Sequence, residues 1–392
     1  MSVAAPQQRI LVFGFDAAEA AQIRRIRSYM ECGFDVLAFT MRRNNMNAEF
    51  EPFWPNIHLY DTKNQNMLGR IRAIFGSMAK VARHRGRMQG TDVIVARNLD
   101  MLAIGVVAQA MITPRPPLIY ECLDIHDLMT DKGFKGRFFR ALERRLLARC
   151  AALIVSSPAF MRNYFEPVQG WTGPSTLIEN KLWTGPNGLA RPDPASAVAA
   201  RGGDPLVLGW AGTLRCARSL ALLAETARRM GPRLRVVMHG VVHHHAMPEF
   251  DATLAAHPNM TYEGPYDYPD GLARVYAGYD MVWSQDLWQW GTNSTWLLPN
   301  RIYEASYFGC PSIAVDGTET GRQVADGLGW AIPEPTADAL VALLEGLSPA
   351  AVAHQSRELL AMPDNLFRQS PEEIRGAIAA AHQHHAARGT RG

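Results

Sequence analysis

Two tandem Rossmann-like, doubly wound α/β domains facing a cleft are the architecture this sequence predicts, on three observations. Its 392 residues exceed what one hydrophobic core usually supports, so two domains of similar size are expected. Runs rich in Val, Ile and Leu, without strict alternation, recur between amphipathic stretches. That is the pattern of a parallel sheet covered on both faces by helices. One stretch, WTGPNGLARPDPASAVAARGGDP (183–205), is rich in Pro, Gly and Ala, lacks a sustained period and reads as a linker.

In the first half, apolar strands are expected at Arg9–Phe15, Asp35–Met41, Ile57–Asp61, Asp92–Arg97, Leu118–Leu123, Leu153–Ser156 and Thr176–Glu179. Amphipathic helices separate several of them, at Ala17–Cys32, Leu68–Met88 and Phe134–Cys150. Beyond the linker the alternation restarts, with strands at Leu206–Trp210, Leu234–His239, Met260–Glu263, Asp280–Ser284 and Pro311–Val315. Helices are expected at Ala217–Met230, Gly271–Gly278, Pro299–Phe308 (stopped by Gly309) and Ala337–Leu347. The domains are therefore drawn at 1–182 and 206–363, with 183–205 between them and 364–392 as a tail. Ligands in such sheets sit beyond the carboxyl ends of the strands.

Composition narrows the function. Apolar residues are 47% and charged residues 20%, as in a packed chain rather than a disordered one. No apolar run approaches the roughly 18–20 residues of a membrane span. A first strand at about residue 9 leaves no room for a signal peptide. The five cysteines (32, 122, 150, 216, 310) form no CxxC pair, which favours a reducing compartment over a zinc ribbon or disulfide framework. A cytoplasmic location is expected. The net charge of +3 is unevenly spread: residues 1–180 carry 23 Lys/Arg against 16 Asp/Glu, a net of +7, and the remainder a net of −4.

Several chemistries lack their motifs. There is no GxxxxGK[ST], and the turn after the first strand, FGFDAAEAAQ, is not GxGxxG. No GxSxG elbow, HExxH helix or kinase set is present. The histidine clusters His243–His245 and His382–His385 have no carboxylate or cysteine in helical register to complete an open metal site, and read as a polar loop and a frayed terminal helix.

The second half carries the most informative constellation. In LVLGWAGTLRCARSL (206–220) an apolar strand runs into Gly212 at a strand-to-helix turn, with Arg215 and Arg218 beside it. A glycine there lets the backbone approach a phosphate, and the helix start offers N–H groups and partial positive charge. Two guanidiniums could neutralise a diphosphate, or both could decorate a solvated helix start. Next comes the aromatic loop SQDLWQWGTNSTW and then PNRIYEASYFGCPSIA, whose Glu304 could accept both hydroxyls of a ribose or be an ordinary helix residue.

In order and spacing, GWAGTLRCARSL, NMTYEGPYDYPDGLARVYAGYDMVWS and LPNRIYEASYFGCPSIA resemble the donor-binding domain of GT-B glycosyltransferases, nearest the family-four-like group and related bacterial exopolysaccharide transferases. The resemblance covers about 206–333 well and the first half in layout. It implies that Gly212 and Arg218, with Arg215 added, bind the diphosphate of a nucleotide-sugar donor and that Glu304 binds the ribose. Asn300 and Arg301 stand where the family has a small polar residue followed by Lys near the diphosphate. It also implies that the tail forms a helix returning to the first domain. The chain departs from the family's paired Glu: eight positions before Glu304 stands Trp296. The sugar contact is then expected from Asn293, Ser294 or backbone N–H groups of the preceding loop.

In the first half, YECLDIHDLM places Glu121, Asp124, His126 and Asp127 at or just beyond a strand's carboxyl end. A general base for an acceptor hydroxyl needs Asp or His within hydrogen-bond reach, so Asp124 and His126 are the catalytic candidates; a helix cap is the alternative. The segments 68–88 and 132–150 read as basic amphipathic helices, either solvated or lying on an anionic bilayer. Together they suggest peripheral contact with the inner face of the cytoplasmic membrane and a lipid-linked or oligosaccharide acceptor, as the resemblance implies. No nucleic acid partner is expected, because the basic residues lie on separated helices without an aromatic-stacking sheet motif. No cofactor and no metal is expected, since cationic side chains can stabilise the leaving diphosphate and no DxD is present. The expected activity is hexosyl or uronosyl transfer in cell-surface polysaccharide synthesis. A nucleotide-sugar epimerase of the same layout and a catalytically silent sugar-nucleotide binder are the alternatives.

Overall fold

All seven strands expected in the first half form: β1 (Arg9–Gly14), β2 (Asp35–Arg43), β3 (Asn56–Thr62), β4 (Val93–Arg97), β5 (Leu118–Cys122), β6 (Ala152–Val155) and β7 (Ser175–Leu177). They make one parallel sheet in the order β3-β2-β1-β4-β5-β6-β7, with Val12 opposite Ala38 on one side and Val95 on the other. Ile10–Phe13 and Val93–Ala96 expose no surface, which is why neither strand carries an alternating polar face. The computed structural model describes residues 7–43, 50–62, 67–185, 189–195 and 202–389. Two units divide the chain, Met1–Glu179 with Ser370–Gly392 and Asn180–Gln369.

Helices Ala20–Glu31, Met67–Arg83 and Phe134–Leu147 lie where the amphipathic pattern put them; the second breaks at His84 before a short turn, Arg85–Met88. Two longer first-unit helices, Leu99–Gln109 and Met161–Gln169, were not anticipated. Leu99–Gln109 is apolar around its circumference and touches β1, β4 and β5 as well as helices Met67–Arg83 and Phe134–Leu147. The last helix, Pro371–Gly389, buries Ile374, Ala377, Ile378 and Ala381 and packs on β6 and helix Ala20–Glu31. Arg388 anchors it by donating to the carbonyls of Cys150 (3.0 Å) and Ala148 (3.1 Å). His385 meets the Arg115 carbonyl at 3.1 Å.

The second unit repeats the plan with β8 (Leu206–Leu214), β9 (Leu234–Val242), β10 (Met260–Tyr262), β11 (Met281–Trp283), β12 (Ser312–Val315) and an unanticipated β13 (Gly329–Ile332). Its parallel order is β10-β9-β8-β11-β12-β13. Helix Ala217–Met230 has the ends expected for it, with Cys216 as its cap and Gly231 at its close.

The proposed linker 183–205 needs correction where it is described. Leu182 and Trp183 are buried, and Leu182 bridges to Arg368. Arg191 donates to the carbonyls of Tyr307 (3.1 Å), Met362 (2.8 Å) and Leu359 (2.7 Å) and to Asp364 (2.8 Å), stacking on Tyr307 and Phe367. The Pro/Gly-rich composition thus marks a non-repetitive strap fastened to the second unit by the Arg191 guanidinium, by the Tyr307 hydroxyl donating to the Leu189 carbonyl and by the Gly202 N–H donating to Asp280 (2.6 Å). Residues 186–188 and 196–201 of that stretch lie outside the described residues. The tail, drawn from 364, joins the first unit only from Ser370, since Asp364–Phe367 belong to the second. Among the described residues no helix is long and apolar enough to cross a membrane.

Candidate functional site

A doubly wound sheet binds ligands where neighbouring strands send the chain to opposite sides. In the second unit that point lies between β8 and β11. β8 continues past Trp210 to Leu214, so Gly212 sits inside a strand and not at the turn as expected; the chain turns at Arg215 and Cys216. Gly212 (φ 105) faces Gly240 (φ 128) of β9. A Cβ on Gly240 would overlap the Gly212 carbonyl, so the two backbones approach as only glycine permits. Arg215 reaches toward Asp286, 3.9 Å away, across the switch point. Arg218, exposed on the first helical turn, stacks over Trp290 at 5.3 Å.

The aromatic loop after β11 is held by its own side chains. Asp286 Oδ1 accepts from the Trp288 N–H (2.7 Å) and the Ser294 hydroxyl (2.8 Å), while Ser294 Oγ accepts from the Gln289 N–H (2.7 Å). The Ser294 hydroxyl is thereby engaged within the loop. Asn293 is buried at the start of the turn Asn293–Trp296. Helix Asn300–Tyr307 follows Pro299, with Asn300 and Arg301 partly exposed at its start. Arg301 donates to the Trp283 carbonyl (3.1 Å), which brings that start to the carboxyl end of β11. Glu304 is only 4% exposed and accepts from the Tyr276 hydroxyl at 3.1 Å. Burial, then the nearby Glu304 carboxylate, pushes the Tyr276 and Tyr266 phenols upward. His239, at the same edge, bonds the Tyr279 hydroxyl at 2.6 Å, and burial lowers its pKa. Tyr266, Tyr276, His239 and Asp286 were not singled out from the sequence; the tyrosine-dense run 262–279 was a signal for the two tyrosines alone.

In the first unit the cluster after β5 splits. Glu121 points inward, 1% exposed, paired with Arg25 (2.8 Å) and Arg97 (3.0 Å). Burial alone would raise its pKa, but Arg25 and then Arg97 hold the carboxyl below the usual range. Asp124 and His126 are exposed. His126 caps the turn Asp127–Thr130, its Nδ1 accepting the Leu128 N–H at 3.2 Å, so the proton of the neutral ring sits on Nε2. Helix Phe134–Leu147 presents Phe134 (83% exposed) and Phe138 (56%) beside exposed Lys132, Lys135 and Arg137. Phe75 on helix Met67–Arg83 is likewise exposed; the side chains of Leu68, Arg70 and Ile71 lie outside the described residues. No group of three or more potential metal ligands occurs among the described residues.

Residues 23–181 match the family model described as a glycosyl transferase 4-like domain. Over 353 residues the chain is 36% identical to the succinoglycan biosynthesis protein ExoL of Rhizobium meliloti (strain 1021), covering 90% of this chain and 87% of that one. Among solved structures it is similar to Anabaena HepE in complex with UDP and glucose (TM-score 0.66, 16% identity, 98% of this chain and 100% of that one). Sucrose-phosphate synthase of Thermosynechococcus elongatus gives a TM-score of 0.68 at 15% identity over 98% of this chain and 99% of that one. At such identities the structures speak for the fold.

Proposed function

The chain belongs to the glycosyl transferase 4-like family of GT-B glycosyltransferases, and from that premise we propose that it moves a sugar from a nucleotide-diphospho sugar to a lipid-linked saccharide during exopolysaccharide assembly. The observation that carries this reading is the pair of arginines gathered at one switch point, Arg215 beside Asp286 and Arg301 on the Trp283 carbonyl. With Arg218 and the start of helix Ala217–Met230, they offer positive charge to a departing diphosphate. Close approach at Gly212 gives that diphosphate room, Asn300 lies on its side of the site, and Glu304 receives the ribose. Asn293 and the N–H groups of its loop meet the donor sugar, and Ser294 holds that loop in shape. Asp124 and His126 contact the acceptor. Relatives and neighbours support the chemistry: ExoL is named for succinoglycan biosynthesis, and HepE binds UDP and glucose.

The test is calorimetry of the full chain with UDP-, GDP- and dTDP-sugars, followed by transfer of the bound, labelled sugar to bacterial membrane lipid extract. Glu304→Ala is expected to weaken donor binding about 10- to 100-fold, as loss of a charged hydrogen bond of about 1.5–3 kcal/mol implies. Unchanged affinity would remove Glu304 from the ribose.

The exposed Phe134 and Phe138, among Lys132, Lys135 and Arg137, support docking of the first unit on an anionic bilayer, each basic residue contributing about 1 kcal/mol near the surface. Phe134→Ser with Phe138→Ser should abolish co-sedimentation with phosphatidylglycerol vesicles while leaving the thermal midpoint unchanged. Equal sedimentation of both proteins would refute this docking face.

A further inference from the structure

The last helix, Pro371–Gly389, crosses the amino edge of the first sheet, opposite the strand ends beyond which Asp124 and His126 lie. Along that edge Arg375 donates to the Cys32 carbonyl ahead of β2 (3.2 Å), His385 meets the Arg115 carbonyl ahead of β5, and Arg388 meets the Cys150 carbonyl ahead of β6. Beside the carboxyl end of this helix lies a cavity of about 410 Å³, within the range of about 300–1,000 Å³ typical of small-molecule sites. The end of helix Phe134–Leu147 and the loop that leads into β7 complete its walls, so every residue lining it belongs to the first unit.

Two residues of this lining carry a buried polar atom without a hydrogen-bond partner, Gln169 Oε1 and Trp171 Nε1. Native chains rarely leave such atoms unsatisfied, and here an acceptor and a donor stand two residues apart. Gln169 is 4% exposed, and its Nε2 is spent on Glu143 Oε2 (2.6 Å) and the Tyr164 hydroxyl (2.8 Å), which fixes its Oε1 as the acceptor. The Trp171 indole lies against Gly173, where a Cβ would come within 2.6 Å of the ring. Two cations border the same cavity. Arg144 donates to the Val168 (2.6 Å) and Gln169 (3.3 Å) carbonyls, and Arg388 to those of Cys150 and Ala148. These partners are neutral. Neither guanidinium meets a carboxylate among the described residues, so both keep their full charge, and His384 adds a ring nitrogen to a lining that holds no acidic residue.

We propose that this cavity is a second ligand site and that it takes a sugar phosphate, its phosphate between Arg144 and Arg388 and its hydroxyls on Gln169 Oε1 and Trp171 Nε1. A phosphate monoester carries about −1.5 to −2 charges at pH 7, which matches two guanidiniums; a uronate brings one charge and a neutral sugar none. A hydroxyl donates to the glutamine oxygen and accepts from the indole N–H, a pairing that inorganic phosphate cannot complete. The site shares no residue with the donor site of the second unit, and it goes beyond the transferase reading without resting on it. Its occupant would join the last helix, through Arg388, to helix Phe134–Leu147, through Arg144, and so stabilise the first unit by mass action.

Calorimetry of the full chain with glucose 1-phosphate and glucose 6-phosphate should give a Kd of about 1 mM or tighter for at least one of them. Glucose, glucuronate and inorganic phosphate should each bind about tenfold more weakly or worse, as loss of a charged contact or of the hydroxyl pairing implies. At a hundredfold excess over Kd the bound sugar phosphate should raise the thermal midpoint by about 5 °C or more. Trp171→Phe, which keeps a ring and deletes the N–H, and Arg144→Gln should each weaken binding about 10- to 100-fold. By heteronuclear NMR, the indole N–H resonance missing from Trp171→Phe should shift as the sugar phosphate is added to the wild type. Glu304→Ala, or saturation with a nucleotide sugar, should leave the sugar phosphate Kd unchanged. No sugar phosphate binding, glucose, glucuronate or phosphate bound as tightly, wild-type affinity in both variants, an unmoved indole resonance, or displacement by the nucleotide sugar would each overturn the site. Any of those results leaves the transferase reading to its own donor titration. Should the wild type bind no nucleotide sugar, that reading falls, and the sugar phosphate titrations still decide this one.

Discussion

Replacing Glu121 with leucine is expected to destabilise the first unit by about 3–5 kcal/mol, because it strands two buried guanidiniums without a counter-charge. The carboxylate lies between Arg25, at 2.8 Å, and Arg97, whose Nε comes to 3.0 Å of Oε2 as an ion pair without hydrogen-bond alignment. Arg25 and Arg97 are themselves buried, so neither can swing out to water. The thermal midpoint should fall by about 10 °C or more. The triple variant Arg25→Met, Glu121→Leu, Arg97→Met should recover much of that loss, since removing all the charges removes the desolvation penalty with them. The same group sets an acid limit. Its folded pKa is depressed, so its contribution is fully present above the unfolded glutamate value of about 4.3 and is lost as pH falls through the lower folded value. Melting followed by circular dichroism from pH 7 down to pH 3 should show the wild type losing stability below about pH 4.3. Glu121→Leu should lose less over that range. Equal acid sensitivity of the two proteins would show that Glu121 is not the group responsible.

Gly240→Ala is expected to remove donor binding while the neighbouring substitution Gly212→Ala only weakens it. Both glycines lie at positive φ, 128 and 105, and an alanine at either carries backbone strain of about 1–3 kcal/mol. Beyond that the two differ. The added methyl of Gly240→Ala overlaps the Gly212 carbonyl backbone, which cannot rotate aside as a side chain would, whereas a Cβ at Gly212 meets nothing within 4 Å. Relief in the first case must push β8 away from β9 just before Arg215, adding overpacking of about 1–3 kcal/mol. Calorimetry with the wild-type donor, alongside the melting temperature of each variant, measures the contrast. Similar donor affinities for the two variants would show that the diphosphate does not depend on that backbone approach.

Most strands were legible because they rest on local signals. Uninterrupted Val/Ile/Leu runs gave β1, β2 and β9, and Gly231 closed helix Ala217–Met230 where the period ended. What stayed hidden depends on partners distant in sequence. Helix Leu99–Gln109 has no polar face to reveal a period, since the sheet and two helices cover it. Glu121 could be assigned to the end of β5, but a strand buried on both faces does not say which way a side chain points; Arg25, 96 residues away, decides that. The strap around Arg191 shows the same limit, because composition reports the lack of a period and not the four acceptors that receive one guanidinium.

The return of helix Pro371–Gly389 to β6 makes the second unit an insertion within the first. During synthesis, 180–369 can fold as soon as they emerge, while the first seven strands wait with the apolar flank of β6 uncovered. Dissection follows the same logic: an isolated 180–369 fragment retains every strand of its sheet, whereas a fragment ending at 179 is an unfinished fold.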